Sequence, residues 1–202
     1  MKITKITEQL KSRSRFSVFV DAKYAFSLSG TALLDSGIAS GQIVSEAELA
    51  KLRKLSLDDK AYAKTLRYAE MRLRTNWEVC QYMARLNVPS SLAEKILNKL
   101  TDIGLLDDYK YAVSFAKDRH LLRSSSRRKI IYELKKRHIS ESAIQQALTD
   151  AEENDASALQ ELIARKRRQL KYKDDFKLTQ YLGRQGFNYS DIKDALTAAK
   201  EL

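Results

Sequence analysis

With 202 residues, 44% apolar and 31% charged, the chain has room for one large domain or two small ones with a real core, and six glycines and one proline are too few for a sandwich or barrel. A formal net charge of +11 and a pI of 9.6 suit a polyanionic partner, nucleic acid or an acidic protein surface, against the plainer reading that excess Lys and Arg only keep the chain dissolved. Cys80 alone excludes an internal disulfide or a paired-cysteine zinc site; MKITKITEQLKS has no signal-peptide core, and no stretch nears the about 18 apolar residues of a membrane helix, so a cytoplasmic protein without a membrane partner is expected.

Residues 1–57 read as an N-terminal β-hairpin plus helix. Phe16, Val18 and Val20 alternate with Ser17 and Phe19; after Asp21-Ala22-Lys23, Tyr24, Phe26 and Leu28 alternate with Ala25 and Ser27. Period two on both sides of a short polar break predicts two paired strands, and Ile3 and Ile6 suggest another nearby. Gly37 and Gly41 mark a turn. Ser45-Glu46-Ala47-Glu48 fits a capping box, so a helix is predicted from there to about Leu55.

Beyond Leu57 the chain repeats itself. Leu57-Asp58-Asp59-Lys60-Ala61-Tyr62-Ala63 returns 49 residues later as Leu106-Asp107-Asp108-Tyr109-Lys110-Tyr111-Ala112, and more weakly as Asn154-Asp155-Ala156. With Val88, Ile139 and Phe187 set as equivalent anchors, Val79, Ile130 and Leu178 precede them by nine, and Met83, Leu134 and Leu182 by five. Ala93, Ile144 and Ile192 follow by five, and Leu97, Leu148 and Leu196 by nine. Each pair is four apart and shares one helical face. Caps are predicted near Asp59 or Asp108, at Thr75, Ser126 and Asp174, and at Ser90, Ser140 or Glu141, and Ser190. The result is a mainly α fold: three tandem three-helix repeats at 58–103, 104–152 and 153–202, stacked over a continuous core as an elongated curved solenoid.

Cys80, among apolar helix residues, is expected as a small buried thiol, and the Asp pairs as helix caps rather than metal ligands. Neither a Gly-rich phosphate loop, nor HExxH, nor GxSxG occurs, and His120 and His138 are the only histidines. No catalytic residue, metal or cofactor is expected. Gly183-Arg184-Gln185-Gly186 has the form of a KH-domain GXXG loop, but it occupies the turn filled by Arg85-Leu86-Asn87 and Lys136-Arg137-His138, so a helix-ending glycine is the better account. Tyr62, Tyr82, Tyr111 and Tyr181 recur at matched positions and are expected to pack rather than stack on bases.

The cations are clustered. From Arg119 to His138, Arg119, Arg123, Arg127, Arg128, Lys129, Lys135, Lys136 and Arg137 face one acid, Glu133. Between Arg165 and Lys177, Arg165, Lys166, Arg167, Arg168, Lys171, Lys173 and Lys177 face Asp174 and Asp175; repeat one adds Arg67, Arg72, Arg74 and Arg85. These clusters fall where the first helix of each repeat meets the second, so stacking is expected to align them into a stripe along a phosphate backbone or acidic groove. Ser124-Ser125-Ser126 would add hydroxyls and a helix start suited to phosphate. Such contacts give affinity without sequence reading. The plainer reading, a solvated polar face, is weakened by the recurrence in register.

Several segments together resemble the RecX family over roughly Leu57 to the C-terminus. They are Arg72-Leu73-Arg74-Thr75, Gly104-Leu105-Leu106-Asp107-Asp108 leading to Tyr111-Ala112 and Phe115-Ala116, Arg127-Arg128-Lys129-Ile130 with Glu133-Leu134 and Ile139, and Tyr181-Leu182-Gly183-Arg184-Gln185-Gly186-Phe187 with Ile192, Ala195 and Leu196. The N-terminal hairpin with Gly37 and Gly41 is similar to the leader of longer members. Where the family has Gly before the second basic run, this chain has Ser124-Ser125-Ser126; its Lys-Gly before the third helix is Arg137-His138 here, and Leu86-Asn87 in repeat one. The resemblance implies a non-enzymatic monomer that lodges in the groove of a RecA–DNA filament, contacts RecA and single- or double-stranded DNA non-specifically, and inhibits recombination, DNA repair and SOS functions. On that reading the RecA- and DNA-contacting residues are Arg72, Arg74, Arg123, Arg127, Arg128, Lys129, Lys135, Lys136, Arg137, Arg165, Arg167, Arg168 and Lys171. The rival readings are a sequence-independent DNA-binding helical-repeat protein without a RecA partner, and an adaptor that binds only proteins and uses the basic stripe as a solubility face.

Overall fold

The computed structural model describes residues 1–10, 12–150 and 155–199; the side chains of Ser12, Arg13, Leu121 and Arg123, and Asn154 of the weak third copy, lie outside the described residues. It divides into two compact units, one of residues 1–72 and 79–103, the other of residues 73–78 and 104–202.

The first unit opens with three antiparallel strands, β1 (Ile3–Gln9), β2 (Ser12–Val20) and β3 (Lys23–Ser29), in the order β1-β2-β3. Ile3, Val18, Val20, Phe26 and Leu28 fill one face, as the alternation predicts. Tyr24 departs from it. A register shift after Val18 pairs Phe19 with Tyr24, so Tyr24 is exposed and meets Phe19 edge to face at 6.0 Å. The β2–β3 turn holds Asp21 and Ala22 at φ 47° and 63° without a glycine. β1 supports that conformation: the Lys2 N–H donates to the Asp21 carboxylate at 2.8 Å, and the Ala22 N–H donates to Thr4 Oγ1 at 3.0 Å.

A helix not predicted, α1 (Gly30–Ser36), follows directly, capped by Ser29 and closed by Gly37 at φ 63°. Then α2 (Glu46–Glu70) runs unbroken for 25 residues from the predicted capping box of Ser45 and Glu48. The expected stop at Leu55 and restart near Asp59 are therefore overturned, and the boundary drawn at residue 57 falls inside one helix. Asp59 caps no helix of its own. Its carboxylate accepts the Ser29 N–H at 2.9 Å and the Ser29 hydroxyl at 2.6 Å, and pairs with Arg15 at 2.8 Å. It thus ties α2 to β2 and to the start of α1.

The remaining helices are α3 (Asn76–Arg85), α4 (Ser90–Asp102), α5 (Asp108–Arg123), α6 (Arg127–Lys135), α7 (Glu141–Asp150), α8 (Asp155–Arg167), α9 (Asp175–Arg184) and α10 (Tyr189–Ala198), with a short 3-10 turn at Leu170–Tyr172. After the N-terminal sheet the fold is three successive three-helix repeats, α2–α4, α5–α7 and α8–α10. The second helix of each begins where expected. Thr75 and Glu78 form a reciprocal capping box, Ser126 accepts from the Lys129 N–H, and Asp174 accepts from Phe176 and Lys177. At the third helices, Ser140 accepts the Ala143 N–H, whereas Pro89 and Asn188 hold the other N-cap positions and place Ser90 and Ser190 inside the helices.

Val79, Met83, Ile130, Leu134, Ile144, Leu148, Leu178, Leu182, Ile192 and Leu196 are buried as predicted. In α4 the buried face falls on Ile96 and Leu100 instead of Ala93 and Leu97, because this longer helix packs on α2. Among the described residues the core is not continuous. Repeats two and three carry separate clusters, one around Ile130, Leu134 and Ile144, the other around Leu162, Leu178 and Leu182. Cys80 is half-buried rather than buried. No described helix is long and apolar enough to cross a membrane.

Candidate interaction surface

Two recurring contacts position the second helices. The Asp108 carboxylate at the start of α5 accepts the main-chain N–H of Asn76, the first residue of α3, at 2.9 Å. Asp155 at the start of α8 accepts the N–H of Arg127, the first residue of α6, at 2.8 Å. Each aspartate so satisfies an amide that a helix start leaves open, and its charge faces the positive end of that helix. Asp107, not Asp108, caps α5, through the Lys110 N–H at 2.9 Å. Burial pushes the Asp108 carboxyl above the usual aspartate range; the Asn76 bond opposes this and the neighbouring Asp107 charge adds to it.

The second contact uses the residue just before each anchor. Asn87, His138 and Gly186 all lie in the left-handed region, at φ 54°, 59° and 93°. The His138 ring stacks on Trp77 of α3, centroids 4.5 Å apart. Gly186 lies so close to α6 that an added Cβ would stand 2.3 Å from Ser126 Oγ. Beside it the Gln185 carbonyl accepts the Ser126 N–H and hydroxyl at 3.2 and 3.0 Å, and Lys129 donates to the Gln185 side chain at 2.8 Å. The glycine-flanked turn therefore both ends a helix and packs against the neighbouring one. The C-terminal end of α9 meets the N-terminal end of α6, and the C-terminal end of α6 meets the N-terminal end of α3.

Burial and these contacts close off the hydroxyls and the helix start that Ser124-Ser125-Ser126 were expected to offer to phosphate. All three serines are buried, the Arg127 amide is bound by Asp155, and Ser126 is occupied by Lys129 and Gln185.

The thirteen expected contact residues separate by what they touch. Arg127 donates to the Leu148 carbonyl at 3.3 Å, and Lys129 is held by Gln185. Arg137 donates to Tyr111 Oη at 3.1 Å and the Glu133 carbonyl at 2.8 Å, and lies over the Phe115 ring. Arg167 pairs with Asp175 and donates to the Lys173 carbonyl at 2.7 Å. Lys135 pairs with Glu141 on the surface at 2.5 Å, and Arg165 makes a 3.4 Å bond to the Leu122 carbonyl. Arg128, Lys136 and Arg168 are exposed with no partner among the described residues; Lys171 is exposed beside the Tyr172 ring. Arg72 is exposed and Arg74 half-buried in the turn before α3, and the side chain of Arg123 lies outside the described residues. The recurring tyrosines pack as expected: Tyr82 stacks on Tyr68 at 4.0 Å, Tyr62 lies under Lys99, and Tyr181 meets Tyr172.

Sequence reasoning passed over three exposed aromatics on the second helices, Trp77 (40% exposed), Tyr132 (65%) and Phe176 (69%). The repeat register carried the signal. Trp77, Arg128 and Phe176 lie eleven before their anchors, Tyr132 seven before, and Arg85, Lys136 and Arg184 three before, all on the face opposite the buried positions.

An N-terminal three-stranded sheet followed by three-helix repeats, with cations exposed along the second helices, defines a tandem helical-repeat protein. The chain belongs to the RecX family of regulatory proteins. Residues 1–45 match the regulatory protein RecX N-terminal domain, and residues 107–148 match the RecX second three-helix domain. A regulatory protein RecX of Lacticaseibacillus paracasei is 36% identical over 111 residues, 55% of this chain and 46% of the relative, so the match spans under half of that relative's length. One from Limosilactobacillus reuteri is 28% identical over all of this chain and 79% of its own length. A crystal structure of regulatory protein RecX superposes with TM-score 0.75 at 29% identity, over 96% of this chain and 98% of that one. RecX from Lactobacillus salivarius shares the fold, with TM-score 0.61 at 23% identity over 72% of this chain and 97% of that one.

Proposed function

We propose that this chain regulates the RecA recombinase by lodging in the groove of the RecA–DNA filament, and that it lowers recombination and repair activity there without itself making or breaking a bond. Family membership supports the regulatory role. The observation that carries the reading is that Arg128, Lys136 and Arg168 have no partner among the described residues, although Arg127, Lys129, Arg137 and Arg167 beside them are held by protein groups. Exposed charge of this kind is free to displace counterions from a polyanion. The held cations shape the helices that present it. The domain boundaries follow the same logic: an N-terminal module of the sheet with α1, then repeats starting with α2, α5 and α8.

The direct test is capture of the protein by RecA filaments assembled on single-stranded DNA with a non-hydrolysable ATP analogue. Retention is expected, weakened by added salt and by Arg128→Ala with Lys136→Ala. No retention at saturating protein, under salt where it still binds bare DNA, would favour the general DNA binder.

A further inference from the structure

We infer that the outer faces of α6, α9 and the first turn of α3 form a stacking track for the bases of single-stranded nucleic acid; this deepens the filament reading and rests on it for the biological setting only. Along α6 and its C-cap, Arg128, Tyr132 and Lys136 are spaced by four and are all exposed, so an aromatic ring stands between two cations on one helical face. On α9 the same face carries Phe176 and, eight residues on, Arg184, both exposed. On α3 it begins with Trp77, which keeps 40% of its surface exposed while His138 covers one side of the ring.

The junctions make these faces consecutive. Gln185 and Gly186, just past Arg184, lie on Ser126 and Lys129, which bracket Arg128. His138, two residues past Lys136, lies on Trp77. Phe176, Arg184, Arg128, Tyr132, Lys136 and Trp77 therefore follow one another across two helix-to-helix contacts.

The chemistry of this row selects its occupant. Nothing in the core requires a ring at these exposed positions, yet three large aromatics are kept here beside three exposed cations, Arg128, Lys136 and Arg184. A protein interface of this size would bury its rings in a packed, charge-poor centre. Rings interspersed with cations match a single strand, which presents unpaired base faces together with phosphates. A duplex hides its base faces and would use only the cations. None of the ring positions is needed for the core, since Val79, Ile130 and Leu178 fill that role from the opposite face.

Trp77 is the only tryptophan, so its fluorescence reports the track directly. The full chain is titrated with oligothymidylate, with an abasic oligonucleotide of equal phosphate count, and with duplex DNA. Oligothymidylate is expected to quench Trp77 and to bind about tenfold tighter than the abasic strand, the worth of one or two stacked bases. Tyr132→Ala should remove most of that advantage without weakening the abasic complex, Tyr132→Phe should restore it, and circular dichroism confirms that both variants fold. Equal affinity for the two strands, or an advantage that survives Tyr132→Ala, overturns the stacking track while leaving the electrostatic filament reading to its own test. If no strand binds at low salt but Tyr132→Ala still alters the response of RecA, the face takes a protein and the inference is wrong.

Discussion

Asp155 and Arg127, 28 residues apart in sequence, meet through one bond: the Asp155 carboxylate accepts the Arg127 main-chain N–H at 2.8 Å. Asp108 does the same for Asn76 at 2.9 Å. Alanine at either aspartate leaves a helix-start amide without its acceptor and should cost about 1–2 kcal/mol. Asparagine keeps an acceptor oxygen and should recover most of it. The two bonds share no partner, so the double variant should lose the sum of the single losses in urea unfolding.

Acidity should affect Asp108 in a particular direction. Burial raises its folded-state value above the ordinary 3.8, so the native protein holds this proton to higher pH than the unfolded chain does. The group's contribution to stability is greatest below 3.8 and falls as pH rises through the raised value. Asp108→Asn cannot titrate. Unfolding free energy measured across the acidic range should show that downward component in the wild type relative to the variant; an upward one would contradict the burial argument.

Gly186 and Gly104 separate conformation from crowding. Both have positive φ, 93° and 71°, but a Cβ at Gly104 meets nothing within 4 Å, while one at Gly186 strikes Ser126. Gly104→Ala should cost about 1–2 kcal/mol from backbone strain alone. Gly186→Ala should cost more than about 3 kcal/mol, because the α9–α6 contact must also open. Thermal melts of the two variants check the difference.

Cations used inside the protein should behave unlike those left outside. Arg137→Ala loses bonds to Tyr111 and Glu133 and uncovers Phe115, and should destabilise by about 1–2 kcal/mol. Arg128→Ala and Lys136→Ala should leave stability within about 0.5 kcal/mol. Each should instead lower the slope of log affinity against log salt for DNA by about one, if its phosphate contact is made.

Much of the fold was legible because helices and strands announce themselves by period. The alternation around Val18 and Phe26, the spacing of Ile130 with Leu134, and the caps at Thr75, Ser126 and Asp174 all follow from local chemistry. What stayed hidden was decided by distant partners. Asp59 reads as a cap from its neighbours in sequence, yet Ser29 and Arg15 hold it in the middle of a continuous helix. Ser124-Ser125-Ser126 reads as hydroxyls and a helix start open to phosphate, yet burial and contacts with residues 155 and 185 close them off. Arg127, Arg128 and Lys129 read as one basic run; helical geometry points only Arg128 outward, and that division needs the neighbours of Arg127 and Lys129 to be known.

The most direct test of the central claim is single-strand-dependent ATP hydrolysis by RecA during titration with this protein and with a variant in which Arg128, Lys136, Arg168 and Lys171 are all alanine. Inhibition by the wild type is expected at well below one protein per RecA. The variant, folded and equally stable, should need much higher concentrations for the same effect. Unchanged hydrolysis at saturating wild-type protein, or equal inhibition by the variant, would contradict that claim.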